Sequence, residues 1–176
     1  MIGNISYSMG PTMFRPSPSA LHPAHGPASP APVALRLARQ PERWAHLVEH
    51  CAGERRFSRI DLDDVEAWVI SWAPGTQLGL HDHGGAAGAL ALVEGQLAER
   101  YGDRRTPGRL RTRILDAVTV VGFDPDHVHA VRNVGVVPAV SIHVYSPSLE
   151  TMTFFAADPR DDRVVETAMA SSGIDR

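Results

Sequence analysis

Lysine is absent from this chain and cysteine occurs once, at Cys51. A single thiol excludes an intrachain disulfide framework and a thiolate-rich metal site. Without lysine all 17 basic residues are arginine, a compositional trait from which no mechanism follows. Charge of one sign is not concentrated either. The net value is −3 with both signs scattered, which argues against a nucleic-acid or membrane surface. No run is long and apolar enough to span a bilayer. No charged segment leads into an apolar run at the N-terminus, so no secretory signal is read there and the cytoplasm is the expected compartment. The 176 residues suffice for one domain with a proper core and are short for two.

What is present falls into two parts. Residues 1–32 hold half of the 14 prolines, mixed with Ser, Ala and Gly, and lack hydrophobic periodicity. They are expected to form a disordered tail, with His22 and His25 solvated. Residues 33–176 are the expected single domain. Leu35 and Leu37 open a short helical segment, and Pro41 suits the first position of a second helix. Trp44, Leu47, Val48 and Cys51 follow at the spacing of a buried helical stripe, which makes Cys51 a core residue rather than a nucleophile. His46 and His50 lie off that stripe. From Phe57 onwards the texture is β, with strands expected at Val65–Trp72, Ala89–Glu94, Gln96–Arg100, Leu110–Val121, Val128–Asn133 and Ala139–Tyr145. Val93-Glu94-Gly95-Gln96 predicts a tight hairpin, and Val164–Ala170 a closing helix. Many short strands at this spacing indicate a barrel or sandwich, not a βαβ fold.

Two histidine pairs carry most of the chemistry: His81-Asp82-His83 and His127-Val128-His129, the latter followed after three residues by Asn133. On a strand, side chains repeat with period two, so each pair presents both imidazoles on one face. Two converging rings can bind a metal ion, and a third from a neighbouring strand completes a facial triad. His127 and His129 share a face, so either can be that third ligand. The run Gly75, His81-Asp82-His83 and Gly95 resembles the first motif of the cupin superfamily. His129 with Asn133 resembles the end of the second, its usual Pro-x-Gly approach degraded to Asp124-Pro125-Asp126. The resemblance implies a mainly all-β fold, a cupin double-stranded β-helix (jelly-roll) barrel with N-terminal helices. It implies metal held by His81, His83 and His129, the spacing to Asn133 favouring His129 over His127. Most cupins carry a metal-binding Glu where this chain has Gly88. Three neutral histidines leave a divalent ion its full charge, which favours an anionic ligand such as a thiolate. Asp82 points to the opposite strand face and reads as a turn or surface carboxylate.

Ser141, His143 and Tyr145 alternate with Ile142 and Val144, so the three polar groups share a strand face. Facing a barrel interior they would need partners. With the histidine pairs, the run Pro138-Ala139-Val140-Ser141-Ile142-His143-Val144-Tyr145-Ser146-Pro147 resembles the cysteine dioxygenase family of thiol dioxygenases, over roughly 57–155. The resemblance implies a mononuclear non-haem Fe(II) centre that adds both atoms of O2 to a thiol sulfur, turning L-cysteine into cysteine sulfinic acid. It implies roles for Tyr145, His143 and Ser141 in catalysis. The family's substrate-binding arginine lies in an aromatic-Thr-Arg segment. Phe57-Ser58-Arg59 resembles that segment, so Arg59 is the expected carboxylate ligand. Arg55 and Arg56 lie close by. Mammalian members cross-link a cysteine to the tyrosine, and that cysteine is Gly88 here, so Tyr145 is expected to be free, as in bacterial members. Two alternatives stand: a 3-mercaptopropionate dioxygenase, whose relatives usually carry glutamine where Arg59 lies, and a metal-binding cupin without turnover. No feature demands a dimer, so a monomer is expected, with a small thiol and O2 as its partners.

Overall fold

Period-two alternation governs the chain from residue 55 onwards, and the computed structural model accordingly folds it into two curled antiparallel sheets. It describes residues 29–106 and 108–172. A helix α1 (Pro30–Ala38) is followed by two single 3-10 turns (Pro41–Arg43 and Ala45–Leu47). Then come β1 (Arg55–Ile60), β2 (Glu66–Trp72), β3 (Gln77–His81), β4 (Ala87–Glu94), β5 (Gln96–Asp103) and β6 (Arg111–Asp116). The chain continues through β7 (Val120–Phe123), β8 (His127–Asn133), β9 (Ala139–Ser146), β10 (Thr151–Ala157) and β11 (Val164–Ser172). One sheet runs β1-β2-β9-β4-β7 and the other β11-β10-β3-β8-β5-β6.

Strands β2 and β9 are buried along their whole length, because both faces of their sheet are covered. Outward-facing Ala67, Val69, Val140, Ile142 and Val144 pack with Val33, Ala34 and Leu37 of α1 and with Trp44. Inward-facing Trp68, Ile70, Trp72 and Tyr145 meet Leu97, Leu115 and Val131 from the opposing sheet. The inner face therefore carries the site and the outer face carries the helix. No helix among the described residues is long and apolar enough to cross a membrane.

Four local expectations give way to the fold. The tail assigned to residues 1–32 lies, for 1–28, outside the described residues, as do His22 and His25; α1 starts at Pro30, so residues 30–32 are helical. The second helix is replaced by the two 3-10 turns, with Trp44 at φ −138° breaking the helical path and its Nε1 donating to the Leu37 carbonyl oxygen at 2.9 Å. Leu47 and Val48 still pack on the core, and Cys51 is half-buried. Val164–Ala170 is not a helix but lies within β11, paired antiparallel to β10, and this pairing overrides the helical composition. The long strand expected at Leu110–Val121 divides into β6 and β7 at a turn around Val118, which has φ 76°.

The Glu94–Gln96 turn is also not a hairpin. β4 pairs with β9 and β7, whereas β5 pairs with β8 and β6, so the chain changes sheets at Gly95. Gly95 has φ 77°, and a Cβ there would lie 2.7 Å from that of Ala139. Only glycine suits this corner.

Candidate metal centre

His81 closes β3 and His129 lies directly opposite it in β8, as register partners. His83 follows two residues beyond the strand end. Its turn is held by Asp82, which is fully buried rather than at the surface. The Asp82 carboxylate accepts from Gly84 N at 3.2 Å, Thr153 N at 2.9 Å and Arg104 Nη1 at 3.0 Å. These contacts tie the turn to β10 and bring His83 back over the two strands. The ligand atoms of His81, His83 and His129 all lie within 4.8 Å of one another, and the three side chains are buried.

The tautomers follow from the partners. His81 Nδ1 donates to the Gly79 carbonyl oxygen at 2.7 Å, and His129 Nδ1 donates to Glu99 Oε1 at 2.8 Å. Both therefore turn an Nε2 lone pair into the cluster. The Nε2 atoms of His83 and His129 are 3.2 Å apart, the spacing of two imidazoles on one ion with bonds of about 2.1 Å. Burial, and after it the neighbouring imidazoles, push His81 and His83 well below the usual histidine range. Burial also lowers His129, against the pull of Glu99. Three neutral, preorganised nitrogen donors facing one point fit a divalent transition-metal ion.

Glu99, on the inward face of β5, was not singled out in the sequence. Its burial opposes charge, yet hydrogen bonds from His127 (3.0 Å), His129 (2.8 Å) and Arg113 (2.5 Å) outweigh it. The carboxyl is held well below the usual range. A carboxylate behind a metal-binding histidine fixes its ring and raises its basicity. His127 is thus a partner of Glu99 and stands outside the triad.

Next to the triad lies a cavity of about 40 Å³, walled by His81, His143, Tyr145, Trp72, Arg55 and apolar side chains. Ser141, His143 and Tyr145 form a chain that begins at Trp72. Trp72 Nε1 donates to Ser141 Oγ at 2.9 Å, Ser141 Oγ and His143 Nε2 are 3.0 Å apart, and His143 Nδ1 and the Tyr145 hydroxyl 3.3 Å apart. The indole fills one acceptor site of the serine; one arrangement that satisfies every group has serine donating to His143 Nε2 and His143 Nδ1–H donating to the phenol oxygen. The Tyr145 proton is then free to point into the cavity. Burial drives His143 down to about 3 and drives the Tyr145 hydroxyl up, so His143 is neutral and Tyr145 protonated. Trp72 also escaped sequence reading, although it shares an inward face with Trp68 and Ile70.

The structure does not bring Arg59 to this cavity. Arg59 is exposed at the far end of the edge strand β1, opposite Trp68. Arg55 reaches the cavity instead. Half-buried, its guanidinium lies 5.3 Å from the Phe57 ring and 5.5 Å from that of Trp72, and it makes no ion pair or hydrogen bond among the described residues. Gly88 faces both Tyr145 and Phe123 across the sheet, and a Cβ there would fall 2.3 Å from Phe123 Cε2. That space holds neither a carboxylate ligand nor a thioether partner for Tyr145. Cys51 lies outside the cavity, beside Arg56.

A model of the cysteine dioxygenase type I family matches residues 35–158. The chain belongs to that family. Among solved structures it is similar to TT1209 from Thermus thermophilus (18% identity, 59% of this chain and 93% of that one, TM-score 0.51). It is also similar to a double-stranded β-helix domain protein from Klebsiella pneumoniae (21%, 62% and 91%, TM-score 0.51). A cupin superfamily protein from Desulfitobacterium hafniense matches at 16% identity over 58% of this chain and 85% of that one, with a TM-score of 0.48. The first two likenesses show the fold, a double-stranded β-helix. No curated protein matches the chain.

Proposed function

We propose that this family member is a thiol dioxygenase that converts L-cysteine and O2 to cysteine sulfinic acid, with mononuclear Fe(II) held by His81, His83 and His129. The observation that carries the reading is a small cavity lined both by His81 of the neutral three-histidine cluster and by Arg55, whose guanidinium has no anionic partner among the described residues. When bound, the iron would supply adjacent positions for thiolate and O2, which replaces a bimolecular encounter with a positioned one.

The side chains do the rest. Arg55 grips the substrate carboxylate through two parallel hydrogen bonds, a part the sequence had assigned to Arg59. Tyr145 donates its free proton to the substrate or to an oxygen close to sulfur, held in line by His143, Ser141 and Trp72. The apolar walls exclude bulk water, and so small a cavity disfavours a peptide thiol.

One observation supports a second reading, 3-mercaptopropionate as substrate. No carboxylate side chain lines the cavity, so nothing there recognises an ammonium group. The test is O2 uptake by anaerobically Fe(II)-loaded protein given L-cysteine, 3-mercaptopropionate and cysteamine, with sulfinate quantified. Uptake matched by cysteine sulfinate, with the other thiols poor, is the expected result. Preference for 3-mercaptopropionate would move the substrate assignment. Bound iron with no uptake from any of the three would leave a binding module.

A further inference from the structure

Of the three triad histidines, His83 is the one whose orientation no hydrogen bond explains. Its Nδ1 is buried and has no partner among the described residues, whereas the Nδ1 atoms of His81 and His129 are both engaged. The ring stacked on His83 is Phe123, the last residue of β7, with centroids 4.7 Å apart and planes 22° apart; Tyr145 lies tilted against the same imidazole at 5.3 Å and 35°. The opposite face of Phe123 stacks on His127 at 5.0 Å and 15°. Phe123 therefore stands as a wall between a metal-site histidine and His127, the further imidazole on the β8 side of the cluster. His127 is itself close to His129, at 5.0 Å between centroids. The wall has room only because residue 88 has no side chain.

We infer that Phe123 is a positioning residue with two effects: it orients His83, and it keeps His127 out, so that the centre has three protein ligands and not four. This depends on the three-histidine centre and is independent of which thiol, if any, is oxidised. A flat ring is needed for the first effect, because stacking fixes the imidazole plane where no hydrogen bond does. Bulk is needed for the second. Once the ring is gone, His127 has a vacated path towards the cluster, and an extra imidazole would close a position that an open metal site must keep.

The experiment uses Co(II) as a spectroscopic probe, with affinity from chelator competition and coordination from the visible bands. Phe123→Ala and Phe123→Leu are each made alone and together with His127→Ala, and folding is checked by thermal melting. Phe123→Ala should weaken Co(II) about 10- to 100-fold, the range seen when a ligand's supporting partner is lost. Its spectrum should shift towards higher coordination, and His127→Ala should reverse the shift in that background while leaving the parent spectrum unchanged. Phe123→Leu, which keeps bulk but not the flat face, should weaken Co(II) without the spectral shift, and decides the orienting role should Phe123→Ala not fold. Parent-like affinity in Phe123→Leu would overturn the orienting role. A spectrum that His127→Ala does not change in the Phe123→Ala protein would overturn the exclusion of His127.

Discussion

Replacing Arg55 with Met separates substrate recognition from stability. The guanidinium is half-buried between Phe57 and Trp72 and has no anionic partner, so the free protein gains little from its charge. Methionine keeps an apolar stem in the same space and forfeits two ring contacts, each worth about 0.5–1 kcal/mol. Relief of the unpaired charge offsets part of that loss, and Tm should move by no more than roughly 4 °C. Binding is another matter. A carboxylate held by a guanidinium makes charge-assisted hydrogen bonds of about 1.5–3 kcal/mol, taken once for the pair because water still reaches a half-buried site. At about 1.4 kcal/mol per tenfold, kcat/KM for L-cysteine and for 3-mercaptopropionate should fall roughly 10- to 150-fold. Cysteamine has no carboxylate, and its low turnover should be unchanged. Arg59→Met should leave all three thiols unaffected. The assignment is refuted if cysteamine loses as much as cysteine, or if Arg59→Met causes the larger drop.

Glu99→Gln removes the charge behind His129 and should lower Fe(II) affinity about 10- to 100-fold, read as iron retained after dialysis; unchanged retention would dismiss its role. Metal-free protein should lose stability as pH falls. His143 titrates near 3 when folded against 6.5 when unfolded, so the unfolded state binds more protons between those values. Its contribution is complete above about pH 6.5 and declines as pH drops towards 3, with His81 and His83 acting in the same direction. The Tm-versus-pH slope should be shallower in His143→Gln, and equal slopes would contradict the burial argument. Gly88→Ala should destabilise by about 1–3 kcal/mol through overlap with Phe123, with partial recovery in a Phe123→Leu background; simple additivity in that double mutant would show that the two positions do not meet.

Features written in local periodicity were legible in the sequence. The alternation Ser141, His143, Tyr145 against Ile142 and Val144 announced an inward polar face and an outward apolar one, and the structure has both. The His-x-His spacing announced a cluster, and His81, His83 and His129 do converge. Features decided by remote pairing were not. A glycine flanked by two strands looks the same at a hairpin and at a corner between sheets, and Gly95 is the corner. The segment 164–170 has helical composition, but β10 offers it a free edge. Trp72 meets Ser141 across 69 positions of sequence, and Glu99 meets His129 across 30. Nothing near either residue marks it as a partner.

The arginine shows the same limit most sharply. Arg55, Phe57 and Arg59 share one face of β1 by alternation, so period alone cannot choose between the two guanidiniums. Register alone does not choose either, since Trp72 opposite Arg55 and Trp68 opposite Arg59 both line the cavity; the tertiary surroundings leave Arg55 half-buried in the cavity wall and Arg59 exposed. The electrostatic character of the cavity then follows. Arg55 supplies fixed positive charge and no acid among the described residues lines the cavity; of the buried carboxylates close by, Glu66 accepts from Trp68 Nε1 and Leu149 N behind the wall, and Glu99 is shared among two histidines and Arg113. A divalent ion on three neutral imidazoles would add to that positive field, which suits the proposed substrate with its two negative groups, a thiolate and a carboxylate. None of the polar side chains there is a base of useful strength at neutral pH. His143 takes up a second proton only as pH falls to about 3, and Tyr145 keeps its own because burial raises it. The protein's groups in this cavity are suited to binding anions and donating hydrogen bonds, so in the proposed reaction the thiol would reach Tyr145 as a thiolate.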